Sequence, residues 1–157
     1  MRNLFILMPL LFLILVGIVA CTSQPPVDKK IGRVEFYEFN TNSELTLEDI
    51  KEPFSRQELN LKPQMEGDYP KLNGVESKAY ELIDGMVFIH IFENNKELKE
   101  GRKQIKQVYE YEEWGLKVYE VNNMLFVYSP AHATDELVTE KNERMISAIE
   151  EMIKSIE

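Results

Sequence analysis

One cysteine in 157 residues, two histidines and one tryptophan leave little from which to build a conventional reactive centre. A lone thiol excludes an intrachain disulfide, so packing has to hold the fold. The histidines, His90 and His132, lack a surrounding ligand pattern: His132 and Asp135 stand three apart, whereas zinc takes three or four protein ligands. No serine sits in a G-x-S-x-G elbow. Cationic residues are also short, with 18 Lys and Arg against 27 Asp and Glu and a net charge of −9, which argues against a nucleic-acid partner because phosphates are repelled. No catalytic, cofactor-binding or metal-ligating residue is assigned on these grounds. Glu110, Glu112 and Glu113 form an acidic cluster, and paired acids are the raw material of glycosidases, but in so acidic a chain the signal is unspecific and a solvated rim is the better explanation.

Long apolar runs are missing too, except one. Leu4 to Ala20 is apolar throughout, preceded by Arg2 and followed at once by the only cysteine, in the order Ile18-Val19-Ala20-Cys21. A positive start, an apolar middle and small residues before a cut distinguish a removed leader from a structural helix. The pattern resembles the signal peptide of a bacterial lipoprotein. That resemblance covers residues 1–21. It implies cleavage before Cys21, attachment of a diacylglyceryl group to its sulfur, export, and residence at the outer face of the cytoplasmic membrane. The competing reading is a retained membrane helix, since 17 apolar residues reach the lower edge of what crosses roughly 30 Å of hydrocarbon. Pro9, Gly17 and the placement of Cys21 count against it.

Removing 20 of the 157 residues leaves 137, enough for one domain with a real core. Only Arg2 is lost among charged residues, so 17 cationic side chains face 27 acidic ones and the mature charge is −10. The membrane partner is therefore engaged through the N-terminal lipid, not through charge. Residues 21–30, with Pro25 and Pro26, read as a tether. Residues 31–157 read as a single α+β domain, with an irregular N-terminal part over 31–75 and a patterned core over 77–157. Val34 to Phe39 has the composition of a strand, and Thr46 and Asp49 suit a helix start.

The patterned core reads as two successive ββα units. Tyr80 to His90 aligns with Tyr119 to Tyr128, each two strands around a tight turn at Asp84-Gly85 and Asn122-Asn123. Helices follow, one opening at Asn94 and extending to Gly115, the other opening at Thr134 or Asp135 with Val138, Met145, Ile149, Met152 and Ile156 on one face. The expectation is a four-stranded antiparallel sheet with both helices on one face and the N-terminal segment, with a possible extra strand, covering part of the other.

Side-chain alternation then sorts the strands. Tyr80, Leu82, Val87, Ile89 and Ile91, matched with Leu116, Val118, Leu125 and Val127, would bed the helices. Phe88, His90, Tyr119, Phe126 and Tyr128, with Met86, Phe92 and Met124, would form the opposite face, either buried under residues 31–75 or partly open as a binding face for a protein or small-molecule partner. Lys96, Lys99, Arg102, Lys103 and Lys106 form a basic strip on the first helix of the core. The functional expectation is a binding or interaction module at the membrane. A lipid-tethered hydrolase using acidic residues and a structural accessory of a membrane complex are the alternatives. Convergent acids in a deep cleft would favour the hydrolase, and a shallow apolar patch ringed by polar groups would favour partner binding.

Overall fold

The computed structural model describes residues 33–65, 67–109, 115–131 and 134–157. The expected leader, the lipidation site, the tether, the carboxylates at 110, 112 and 113, and His132 lie outside them. In chain order the elements are β1 (Val34–Phe39), α1 (Leu47–Arg56), β2 (Lys62–Pro63), β3 (Lys71–Leu72), β4 (Val75–Glu76), β5 (Lys78–Leu82), β6 (Gly85–Ile91), α2 (Asn95–Val108), β7 (Leu116–Val121), β8 (Met124–Pro130) and α3 (Asp135–Ile156). The fold is α+β.

A single mixed sheet runs β1-β7-β8-β6-β5-β2, with β3 and β4 forming a separate two-stranded hairpin. The expected four-stranded antiparallel sheet is thus its middle part, widened at both edges by the N-terminal segment. β1 joins β7 in parallel, with Phe36 opposite Val118 and Tyr37 opposite Tyr119. β2 joins β5 antiparallel.

The expected placement of both helices on one face is corrected: α1 and α3 cover one face, and α2 with the β3-β4 hairpin covers the other. Topology supplies the reason. β1-α1-β2 crosses the sheet in one direction and β6-α2-β7 crosses back in the other. Two crossovers between parallel strands share a hand only if they lie on opposite faces, and such connections overwhelmingly take one hand.

Local chemistry fixes the helix starts. The Asn94 side chain accepts from the Glu97 amide at 3.0 Å, and Thr134 accepts from the Leu137 amide at 3.3 Å. The Asp49 carboxylate accepts from both the amide and the hydroxyl of Thr46 at 2.7 Å. α1 ends in a Schellman turn: Glu58 takes φ 58° and the Leu59 amide reaches the Phe54 carbonyl at 2.9 Å. α2 ends at Val108, short of the expected Gly115.

The β5-β6 turn falls on Ile83-Asp84, with Leu82 opposite Gly85 instead of Val87. That slide of two residues preserves side-chain parity, so Tyr80, Leu82, Val87, Ile89 and Ile91 do share a face. The second hairpin turns at Asn122-Asn123, where Asn122 takes φ 47°.

Candidate functional site

The proposed aromatic face does not exist as one surface. β6 pairs with β8 so that Ile89 lies opposite Phe126 and Val87 opposite Tyr128. This register places Tyr119, Phe126 and Tyr128 with the aliphatic set, under α1 and α3, and leaves Phe88 and His90 on the opposite face under α2 and the β3-β4 hairpin. Met124 goes with the first group and Phe92 with the second. The matched set Leu116, Val118, Leu125 and Val127 lies with Phe88, not with Val87. Parity within each hairpin follows from its turn, but the offset between hairpins is set by the α2 crossover, and an odd offset exchanges the faces.

Each of these residues has an interior role. Phe126 stacks on Phe54 of α1 with ring centroids 5.6 Å apart, and Phe88 tilts against Tyr109 at 5.2 Å. Tyr119 donates to Asn142 of α3 at 2.7 Å, and the Asn142 amide donates to Tyr37 at 3.2 Å. Tyr37 donates on to Glu35, which Lys117 also holds at 2.7 Å. His90 is fully buried. Its Nδ1 faces the Val75 carbonyl at 3.2 Å, which can only accept, so the proton belongs there and Nε2 accepts from the Tyr109 hydroxyl at 2.6 Å. Burial pulls His90 down to about 4, the Val75 contact opposing, and pushes the Tyr109 hydroxyl upward. A neutral imidazole closed off from solvent braces the core and has no route to a substrate. The Tyr128 hydroxyl is buried without a hydrogen bond among the described residues. Burial first, then the nearby Asp84 carboxylate, push it upward. Lys141 of α3 stands 3.8 Å from Asp84 Oδ1.

What the sequence reading did not locate is a cleft beside α1. Leu47, Ile50 and Phe54 form one wall, Leu59 to Pro63 the other, and Tyr80 of β5 lies between them around a void of about 320 Å³. The Schellman turn at Glu58 creates it: the chain reverses under the helix and returns as β2, too short to close over the gap. Ion pairs from Arg144 to Glu58 (2.6 Å) and from Arg56 to Glu151 tie this corner to α3. The lining also carries Lys51, Lys62, Ser55 and Asn60, and no carboxylate. Lys51 pairs with Glu48 at 2.7 Å on the helix surface, and Lys62 stands opposite Glu81 across the β2-β5 pairing. The Tyr80 hydroxyl is raised by partial burial, the Lys51 charge opposing and the Glu48 charge adding to it, and it makes no hydrogen bond among the described residues.

No protein-family model, curated protein or solved structure matches this chain.

The remaining charged features are wider and more open: Phe36, Lys96, Lys99, Arg102 and Lys103 border a groove of about 730 Å³ along α2. Lys96, Lys99, Lys103 and Lys106 follow one outward line of α2, whose inner line is Leu98, Gly101 and Ile105. Arg102 turns inward instead: its guanidinium lies 4.5 Å from the Phe36 ring and pairs with Glu38 and, at 2.6 Å, with Glu120. Asp135, Glu136, Glu140 and Glu143 surround a shallow depression at the start of α3, where acids suit the positive helix end. Among the described residues no group of three or more His, Cys, Asp or Glu is placed to hold a metal ion. No described helix is long and apolar enough to cross a membrane.

Proposed function

We propose that this chain is an exported, lipid-anchored binding module at the outer face of the cytoplasmic membrane, and that the cleft beside α1 is where it takes an apolar ligand. The observation that carries the binding reading is the cleft itself: apolar walls with a polar rim suit retention of a ligand, and no acids converge in it to supply acid-base chemistry. The anchoring half rests on the order Ile18-Val19-Ala20-Cys21 after the apolar run. Two acyl chains on one sulfur give stable attachment where one gives only marginal attachment.

The two halves are tested separately. Intact mass of the natively expressed protein should show residues 1–20 removed and an acylated Cys21, and Cys21→Ala should leave the leader uncut. A bare sulfur with the leader still attached refutes anchoring. For the cleft, an apolar fluorescent dye should bind the mature protein. Leu47→Asp with Leu61→Asp, both only partly buried positions, should abolish that binding with the cooperative melt retained. Unchanged dye binding in that variant refutes the site.

A further inference from the structure

We infer that the open edge of β1, beside the basic flank of α2, takes an extended acidic peptide of a partner protein as an added strand. This surface is separate from the α1 cleft and does not depend on it.

The first ground is the backbone. β1 is an edge of the six-stranded sheet. The Arg33 carbonyl accepts the Leu116 amide, so in this parallel ladder Arg33, Glu35, Tyr37 and Phe39 turn their peptide groups to β7. The amides and carbonyls of Val34, Phe36 and Glu38 therefore point outward, and they meet no backbone partner among the described residues. Such an edge is a template for a further strand, which would lie about 4.8 Å beyond β1.

The second ground is the charge above that position. α2 turns Gln104 to the β3-β4 hairpin, where it accepts the Asn73 amide at 2.7 Å, and turns Arg102 to Phe36 and Glu38 of β1. At about 100° per residue, Lys99 and Lys106 share the Arg102 flank. The groove between this flank and Phe36 measures about 730 Å³. The carboxylates that border it are already engaged: Lys103 holds Glu100 at 2.8 Å, and Arg102 holds Glu38 and Glu120. Lys99 has Asn95, Lys96, Arg102 and Lys103 three and four positions away on the helix, so no acid neighbours it there. Neither Lys96 nor Lys99 forms an ion pair among the described residues. Lys96 also stands in the first turn of α2, at the positive end of the dipole, where an acid would be the favourable residue. Two uncompensated cations thus overlook the vacant strand position in a chain of net charge −9.

Strand alternation then sets the partner's chemistry. Side chains on the α2 face rise beside Phe36 toward the lysines, where carboxylates gain charge-assisted hydrogen bonds. On the other face Tyr37 and Phe39 are partly buried apolar neighbours and Lys117 is held by Glu35, which suits uncharged side chains. A second copy of this chain fits less well: antiparallel β1-β1 pairing about a two-fold axis keeps both α2 helices on one face and sets their basic flanks toward each other.

The test uses mature protein in a non-ionic detergent and a fluorescent peptide of alternating glutamate and valine, as long as β1, read by anisotropy at physiological ionic strength. It should bind at least tenfold more tightly than a lysine-valine peptide, and more tightly than its own fully N-methylated form, which keeps the charge and loses the donors. Deuterium exchange should slow at the amides of Val34, Phe36 and Glu38. Lys96→Glu with Lys99→Glu, both exposed positions, should melt as the parent does and prefer the lysine peptide. Equal binding of the N-methylated form overturns strand addition, and an unchanged preference in the charge-reversed variant overturns the role of α2. Tighter binding of inorganic polyphosphate at the same lysines overturns the peptide in favour of an anionic polymer. Concentration-dependent dimers in sedimentation, with the same three amides protected, overturn it in favour of a second copy. Absence of binding by the glutamate peptide removes the site.

Discussion

A neutral imidazole at position 90 couples stability to pH with a definite sign. Its folded pKa of about 4 lies below the ordinary value of 6.5, so between those values the unfolded chain binds the extra proton and stability falls as pH falls. Glu35, Asp49, Glu76 and Glu151, all held below the ordinary carboxylate value by hydrogen-bonding or ionic partners, add losses of the same sign only at lower pH. The window from 6.5 to 4.5 therefore belongs to histidine, and urea unfolding across it should lose about 2 kcal/mol. In a His132→Gln background the slope should remain, and His90→Phe should flatten it. His90→Phe should also cost about 1–3 kcal/mol at neutral pH by leaving the Tyr109 hydroxyl and the Val75 carbonyl unpartnered. Asp84 offers a second residue-scale test. Lys141→Met leaves a nearly buried carboxylate without its cation and should destabilise by about 2 kcal/mol, less than a fully dry pair because Lys141 keeps 17 % exposure. Adding Asp84→Asn should recover much of that loss in a double-mutant cycle read by thermal melting.

At the scale of elements, two glycines separate propensity from packing. Gly101 inside α2 reads in the sequence as a cost of about 1 kcal/mol relative to alanine. The structure reverses that: a Cβ there would stand 2.7 Å from the Phe92 ring and 3.3 Å from Leu72, so the glycine lets the helix approach its bed. Gly101→Ala should destabilise in urea titration, and Phe92→Leu in the same chain should reduce the penalty. Gly115 takes φ +71° and a Cβ would meet the Arg33 carbonyl at 1.9 Å. Because that carbonyl accepts the Leu116 amide at the start of the β1-β7 pairing, Gly115→Ala should raise amide exchange along Val34–Phe39 at least tenfold before it affects β8. Elements with local signals were legible in the sequence: the caps at Asn94 and Thr134, the Asn122-Asn123 turn, the strand at Val34–Phe39 and the buried line Val138, Met145, Ile149 and Met152 on α3. Elements that exist only through distant partners were not. β2, β3 and β4 have two residues each and no periodicity to read. The cleft was hidden for the same reason, since it depends on Glu58 adopting a left-handed backbone without being glycine.

Taken as a whole molecule, residues 33–76 supply both edge strands of the sheet and part of the cover on each of its faces. Leu45, Ile50, Phe54 and Leu59 all enter the core shared by α1, α3 and the sheet, and Leu72 enters the other. A chain beginning at residue 77 retains both hairpins, α2 and α3, yet strips α1 from the face that holds Val87, Ile89 and Phe126. It should bind anilinonaphthalene sulfonate and melt without a cooperative transition, whereas a chain beginning at residue 31 should melt sharply. The face assignment of the aromatic set failed at this scale as well: turns fix each hairpin, but only the assembled order β7-β8-β6 fixes one hairpin against the other.

Under the anchoring proposed at Cys21, the parallel seating of β1 on β7 takes on a mechanical meaning. Traction enters at Arg33, where the first strand begins, and a pull along the strand axis loads all six β1-β7 residue pairings together. Such a joint resists in shear, where an antiparallel hairpin drawn from its open end would peel apart one link after another. Drag on the body of the molecule would thus be borne by the seam nearest its mooring.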